Sequence, residues 1–241
     1  MKLKGLKAAA FVATAAACGA AQAVPNFFFG ENTAPGGTVS GAPATARTSF
    51  LSSLIGVGSE GFEAQAEGAT SPIGLTFAGS AGSITATLSG SGEIAGSSTI
   101  CCGRFNTTSG GSQLWNVSGI FSIAFSSAVS AFGFYGTDIG DFSGQITVAL
   151  EDTVGNVTNL VVNNTINGPN ASLLFWGFTD TTTAYNKITF GNTNSGTDFF
   201  GFDDMVIGDR GQISVPEPVS LALFGVALAG LGIARRRRLP V

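Results

Sequence analysis

Histidine is absent from the 241 residues, and its absence removes Ser-His-Asp and Cys-His catalysis, His-ligated zinc and an imidazole pH switch together. Charge is scarce too. Asp, Glu, Lys and Arg make up 11% of the chain, against about 25% in a typical soluble protein, which excludes a coiled coil or helical bundle. Glycine, with 35 residues, is over-supplied instead. The length suits one domain with appendages.

The few charges are sorted by position. Lys2, Lys4 and Lys7 open the chain and Arg235, Arg236, Arg237 and Arg238 nearly close it, leaving only Arg47, Arg104, Lys187 and Arg210 between. Residues 24–215 hold fourteen acids against four bases, a net charge of −10. Such a body repels nucleic acid and anionic membrane.

Residues 1–23 have the order of a secretory signal: three Lys, an apolar run over 8–17, and Ala21-Gln22-Ala23 as an A-x-A cleavage signature. Cleavage after Ala23 leaves Val24 as the first mature residue. A lipoprotein signal at Cys18 is a competing reading, but it lacks the usual Leu three residues earlier. At the other end, Pro216-Glu217-Pro218 precedes residues 219–234, sixteen residues without a charge, and then the four Arg. As a helix the run spans about 24 Å, slightly short of a bilayer core of about 30 Å, and Arg stems snorkel to cover the deficit. The positive-inside rule keeps the Arg block cytoplasmic and residues 24–215 outside.

This terminus resembles the PEP-CTERM sorting signal of exported bacterial proteins, on the Pro-Glu-Pro triplet, the short Gly- and Leu-rich span and the Arg cluster in that order. The resemblance implies recognition of Pro216, Glu217 and Pro218 by an exosortase, with cleavage nearby and the tail as a transient inner-membrane anchor. It also implies a cell-surface or extracellular destination in a bacterium that makes exopolysaccharide. Exopolysaccharide, the biofilm matrix and other surface proteins are therefore the implied surroundings and partners.

Between the ends, residues 24–44 are rich in Pro and Gly and read as a loop or edge-strand entry. One helix is expected around Phe50, Leu51, Leu54 and Ile55, started by Thr48 or Ser49, stopped by Gly56 and Gly58, and covering an open end or edge of a sheet. Ten β segments follow, at 73–78, 83–88, 114–117, 120–125, 129–135, 145–151, 157–162, 173–178, 187–190 and 200–207, a number that suits an all-β antiparallel sandwich. The division expected is signal at 1–23, entry at 24–44, sandwich at 45–211, linker at 212–218, membrane helix at 219–234 and basic tail at 235–241. Gly61-Phe62-Glu63, residues 129–134 and Phe202-Asp203-Asp204-Met205-Val206 resemble ectodomains borne by this sorting signal, which implies a jelly-roll shape related to carbohydrate-binding modules.

Three triplets, Phe132-Gly133-Phe134, Trp176-Gly177-Phe178 and Phe200-Gly201-Phe202, each place two rings on one strand face and bare backbone on the other. An aromatic core accounts for them. A sugar-stacking platform is the functional alternative, with Tyr135, Trp176 and Tyr185 as candidates. Cys101 and Cys102 are adjacent, with Cα atoms about 3.8 Å apart across a trans bond, closer than disulfides usually place them. A bond to another chain, a vicinal disulfide and free thiols all stay open.

Without histidine, paired carboxylates are the remaining enzymatic route, as in glycan hydrolases, but the spacing of Glu63, Glu67, Asp138, Asp141, Asp203 and Asp204 selects no pair. Oxygen-only calcium sites suit such acids better. By strand parity Asp204 shares a face with Phe200 and Phe202, where a carboxylate needs a partner, so Glu63, Asp203 and Asp204 are the candidate ligands of a structural Ca²⁺ joining the two ends of the domain. The function expected is a non-catalytic surface or matrix component; the alternative is a secreted carboxylate-dependent hydrolase.

Overall fold

Period-2 alternation decides most of the chain. Ile146, Val148 and Leu150 are buried while Thr147 and Ala149 are half-buried, as a strand with one core face requires. The computed structural model describes residues 25–96, 99–194 and 198–214. Ala21, Ala23, Val24, the triplet at 216–218, the apolar run and the Arg block lie outside the described residues. No helix among those described is long and apolar enough to cross a membrane.

The described chain is mostly β. Its strands are β1 (Asn26–Asn32), β2 (Ser59–Glu60), β3 (Ile73–Gly79), β4 (Gly82–Ala95), β5 (Leu114–Val129), β6 (Ala131–Thr137), β7 (Ile146–Asp152), β8 (Val157–Val161), β9 (Leu173–Thr179), β10 (Tyr185–Asn192) and β11 (Gly201–Gly208). All pair antiparallel in one sheet of order β1-β9-β6-β11-β5-β10-β7-β8; β2 adds to β11, and β4 joins β5 to β3. The segments at 114–117 and 120–125, expected as two strands, are one. The first part of β5 pairs with β11, Trp115 opposite Phe202, and the later part with β10, Phe121 opposite Phe190. A bent strand shared in this way curls the sheet upon itself. Gly90, facing the bend from β4, has φ +109, and a Cβ there would lie 2.6 Å from the Ile120 carbonyl oxygen.

Curling brings rings from distant strands together. Phe134 meets Phe190 edge-on at 5.4 Å, and Phe121 meets Phe202 at 5.4 Å. The triplets supply this core: Phe132, Phe134, Trp176, Phe178, Phe200 and Phe202 all belong to it. Gly133 and Gly177 lie opposite one another on β6 and β9, on the other face of the sheet. That bare patch seats a helix.

The helix, α1 (Gly41–Ser52), begins seven residues before the expected Thr48 and ends before Leu54. Pro43 falls in its first turn, where a missing N–H costs nothing, and Ala42, Ala44 and Ala46 favour helix. The helix lies over a sheet face rather than an edge: Phe50 is fully buried against Phe28 and Phe175, with ring centroids 5.4 and 5.5 Å away. Leu54 instead forms a β-bridge with Ile213. β6, β9 and β11 are consequently buried on both faces along their whole length.

Candidate functional site

The two terminal strands of the sheet, β1 and β8, come together on one flank. On β1, Phe27 and Phe29 stand opposite Phe178 and Trp176 of β9 and so continue the core face to the sheet edge. There the core runs out, leaving Phe27 45% and Phe29 41% exposed. Phe28, of opposite parity, packs under α1 on Phe50. Phe27, Phe29 and Trp176 form one wall and floor of a groove of about 190 Å³, and Leu160, Val161 and Asn163 form the other side. At its end Glu31 ties β1 to the loop after β8: its carboxylate accepts hydrogen bonds from the Thr165 N–H at 2.9 Å and the Thr165 hydroxyl at 2.6 Å. A second cleft, of about 540 Å³, runs along the other side of β1 between its three Phe and Ala42, Thr45, Ala46 and Ser49 of α1.

None of the residues lining the groove is ionisable, and the carboxylate at its end, Glu31, is engaged by Thr165. Aromatic faces with one exposed amide, Asn163, suit the C–H faces and hydroxyls of an uncharged ligand. The stacking residues read from sequence are placed differently. Tyr135, Trp176 and Tyr185 are 2%, 4% and 4% exposed, so no open platform forms from them. Trp176 reaches the groove only as its floor. Tyr135 faces α1, with the Arg47 guanidinium 5.5 Å above its ring, and burial pushes its hydroxyl up to about 12. The Tyr185 hydroxyl donates to Asp180 at 2.8 Å, and burial followed by that bond raises its pKa.

The acids expected to bind calcium do converge, because β2 pairs with β11, Glu60 opposite Met205. Each of the three carboxylates accepts hydrogen bonds from protein donors. Glu63 Oε1 accepts from the Ser112 and Gln113 N–H groups, both at 2.9 Å, and from Asn106 Nδ2 at 3.0 Å. The same Asn106 nitrogen lies 3.2 Å from Asp203 Oδ2, which also takes the Thr107 N–H at 2.6 Å and hydroxyl at 2.8 Å. Asp203 is fully buried, and burial lifts its pKa to about 7, against the pull of the Thr107 N–H. Asp204 does not share the face of Phe202. A bulge between Asp203 and Val206, with Asp204 at φ +49, shifts the parity by one residue. Met205 and Ile207 then face the core, and Val206 faces α1. Asp204 turns to Ser59, Thr108 and Arg47, at 3.2, 3.1 and 3.9 Å. Among the described residues no group of three or more Asp, Glu or Cys side chains is arranged to hold a metal ion.

Two further carboxyls are forced upward by burial, Asp138 to about 6 and Asp198 to about 7. None of five surface cavities among the described residues is lined by two carboxylates. Cys101 and Cys102 form a vicinal disulfide, one of the three states the sequence left open.

Phe27, Phe29 and Asn163 were invisible to sequence reasoning as site residues. Three consecutive Phe show no alternation, and they fall in a Pro- and Gly-rich segment that reads as a loop or edge-strand entry with no face assigned.

A β body followed directly by a Pro-Glu-Pro triplet, an apolar run and an Arg block defines a class: exported proteins that carry their sorting signal at the C-terminus. Residues 214–238 match the family model of the PEP-CTERM protein-sorting motif. The chain thus carries a PEP-CTERM protein-sorting motif at its C-terminal end, and that motif indicates an exported protein sorted by an exosortase. No curated protein and no solved structure matches it.

Proposed function

We propose that the chain is a non-catalytic component of the cell surface or extracellular matrix, whose jelly-roll-like body binds uncharged polysaccharide in the groove between β1 and β8. In this reading the leader is removed after Ala23, and the C-terminal helix holds the protein in the inner membrane. Exosortase then acts at Pro216-Glu217-Pro218. The released body enters an exopolysaccharide matrix, where other surface proteins are its further partners.

The observation that carries the binding role is the exposure of Phe27 and Phe29 beside Trp176 in a groove with no ionisable lining residue. Large aromatic side chains are normally buried when packing alone explains them. Two on one strand, on the same face and next to an open amide, form a short stacking track. Neither cleft beside the exposed Phe27 and Phe29 is lined by a carboxylate, which supports binding rather than glycan hydrolysis there.

The test is an array of neutral glucans, mannans and galactans probed with residues 24–215. Binding is expected, weakened roughly tenfold by Phe29→Ser at about 1.4 kcal/mol for one lost stacking ring. Phe199→Ser, which removes an exposed Phe that does not line the groove, leaves binding intact. Equal loss from both substitutions, or no binding to any neutral glycan, rejects the proposal.

A further inference from the structure

The disulfide between Cys101 and Cys102 lies on the surface, with both residues exposed. Its two sulfurs have different neighbours. Arg104 folds back on the turn: its Nε donates to the Cys101 carbonyl at 3.2 Å, and one terminal nitrogen lies 3.0 Å from Cys101 Sγ. The other terminal nitrogen donates to Asn116 Oδ1 at 2.6 Å, which ties the guanidinium to β5. Arg104 is one of only four basic residues in a body of net charge −10. Its cation is thus held against one particular sulfur.

Thiol–disulfide exchange depends on which sulfur is attacked and on how well the departing thiolate is stabilised. A cation beside a sulfur favours its thiolate. Attack on Cys102 Sγ expels Cys101 Sγ toward Arg104, whereas attack on Cys101 Sγ expels a thiolate that has no such cation beside it among the described residues.

We propose that Cys101 and Cys102 form a directed exchange site for thiols outside the cell, in which the incoming sulfur bonds to Cys102 and Arg104 holds Cys101 as the leaving thiolate. The incoming thiol loses its proton to solvent, and its sulfur pair forms the new bond to Cys102 Sγ. The Cys101–Cys102 bond breaks, and its electron pair goes to Cys101 Sγ. One disulfide is consumed and one mixed disulfide forms, so no further oxidant or reductant is needed. The thiolate left on Cys101 is next to the mixed disulfide and able to reverse the step, so the linkage is a reversible covalent handle. Its chemistry fits a small thiol or a cysteine of another exported polypeptide.

The experiment uses the purified oxidised full chain in two arms, one with reduced glutathione and one with a peptide containing a single cysteine. Acid quenching, alkylation of free thiols and peptide mass spectrometry then locate each adduct. The adduct is expected on Cys102 and the alkyl group on Cys101. Reaction in both arms extends the site to polypeptide thiols, and reaction with glutathione alone restricts it to small ones. Arg104→Gln is expected to slow exchange roughly threefold or more and to abolish the preference for Cys102, while Arg104→Lys keeps that preference. Absence of any adduct, equal labelling of both cysteines in the parent, or a preference for Cys102 that survives Arg104→Gln would overturn the proposal.

Discussion

Gly133 shows how one missing side chain fixes the position of a helix. A Cβ at this position would lie 2.8 Å from Phe175 Cζ and 2.9 Å from Phe50 Cε1, inside contact distance of two buried rings. Neither ring has room to retreat, since both are fully buried. Gly133→Ala is expected to cost about 1–3 kcal/mol, the usual range for overpacking, and urea unfolding monitored by tryptophan fluorescence reads it. Gly58→Ala serves as the contrast, because nothing lies within 4 Å of a Cβ there and its φ lies outside the left-handed region. The aromatic-Gly-aromatic triplets were legible in the sequence as two rings on one face and bare backbone on the other. What the bare side accommodates was not legible, because Phe50 arrives from a helix whose first two turns carry little apolar pattern. Tyr135 and Tyr185 misled for a related reason: an aromatic with a hydroxyl suits a sugar as well as it suits a buried partner, and Asp180 is that partner for Tyr185.

At the scale of elements, β11 carries both the success and the failure of the sequence reading. Its pairing with β2 brings Glu63 and Asp203 onto a common Asn106, so the meeting of the two ends was readable from the motifs that open and close the domain. The bulge that redirects Asp204 has no signature in Phe202-Asp203-Asp204-Met205, and strict alternation therefore gave the wrong face. Loop 105–113 meets the carboxylates with backbone N–H groups, hydroxyls and an amide, so the acids are satisfied by the chain itself. EDTA is accordingly expected to leave the thermal midpoint unchanged, and millimolar Ca²⁺ to raise it by no more than a nonspecific salt does. A calcium-specific rise of several degrees would show a ligand bound to the native state. β1 is the edge strand that the sequence offered as an alternative to a loop over 24–44, but its bounds and its two apolar faces were not legible. Its Phe28 is covered by α1 while Phe27 and Phe29 face the groove, so both strand faces are apolar and the period-2 signal vanishes.

For the whole molecule, the buried carboxyls set an unusual dependence on pH. Burial raises Asp198 and Asp203 to about 7 and Asp138 to about 6, from an ordinary value of 3.8. A group whose pKa is raised on folding gives its full stabilisation below the unfolded value and loses it as pH rises through the folded one. Asp152, held low first by the Asn156 side chain, acts in the opposite sense and only in more acid solution. So does Asp180, where hydrogen bonds from Thr183, Thr182 and Tyr185 outweigh burial. The melting temperature is therefore expected to peak near pH 4, to fall between about pH 4 and 7, and to level off above about pH 8, as read by differential scanning calorimetry. A midpoint that climbs from pH 5 to pH 8 would contradict these assignments. The order of the strands has a consequence for processing. β11 is the last strand among the described residues yet lies inside the sheet between β6 and β5. Beyond it Ile213 is bridged to Leu54, and the Ser214 N–H donates to the Ser53 carbonyl at 2.8 Å. Pro216 follows two residues later, a reach of about 7 Å even when fully extended. A protease that must thread its substrate through a cleft has almost no slack to grip once the domain has closed, so maturation and folding compete for the same few residues. If exosortase acts at Pro216-Glu217-Pro218, as proposed above, the order of the two events in time decides whether the body is released.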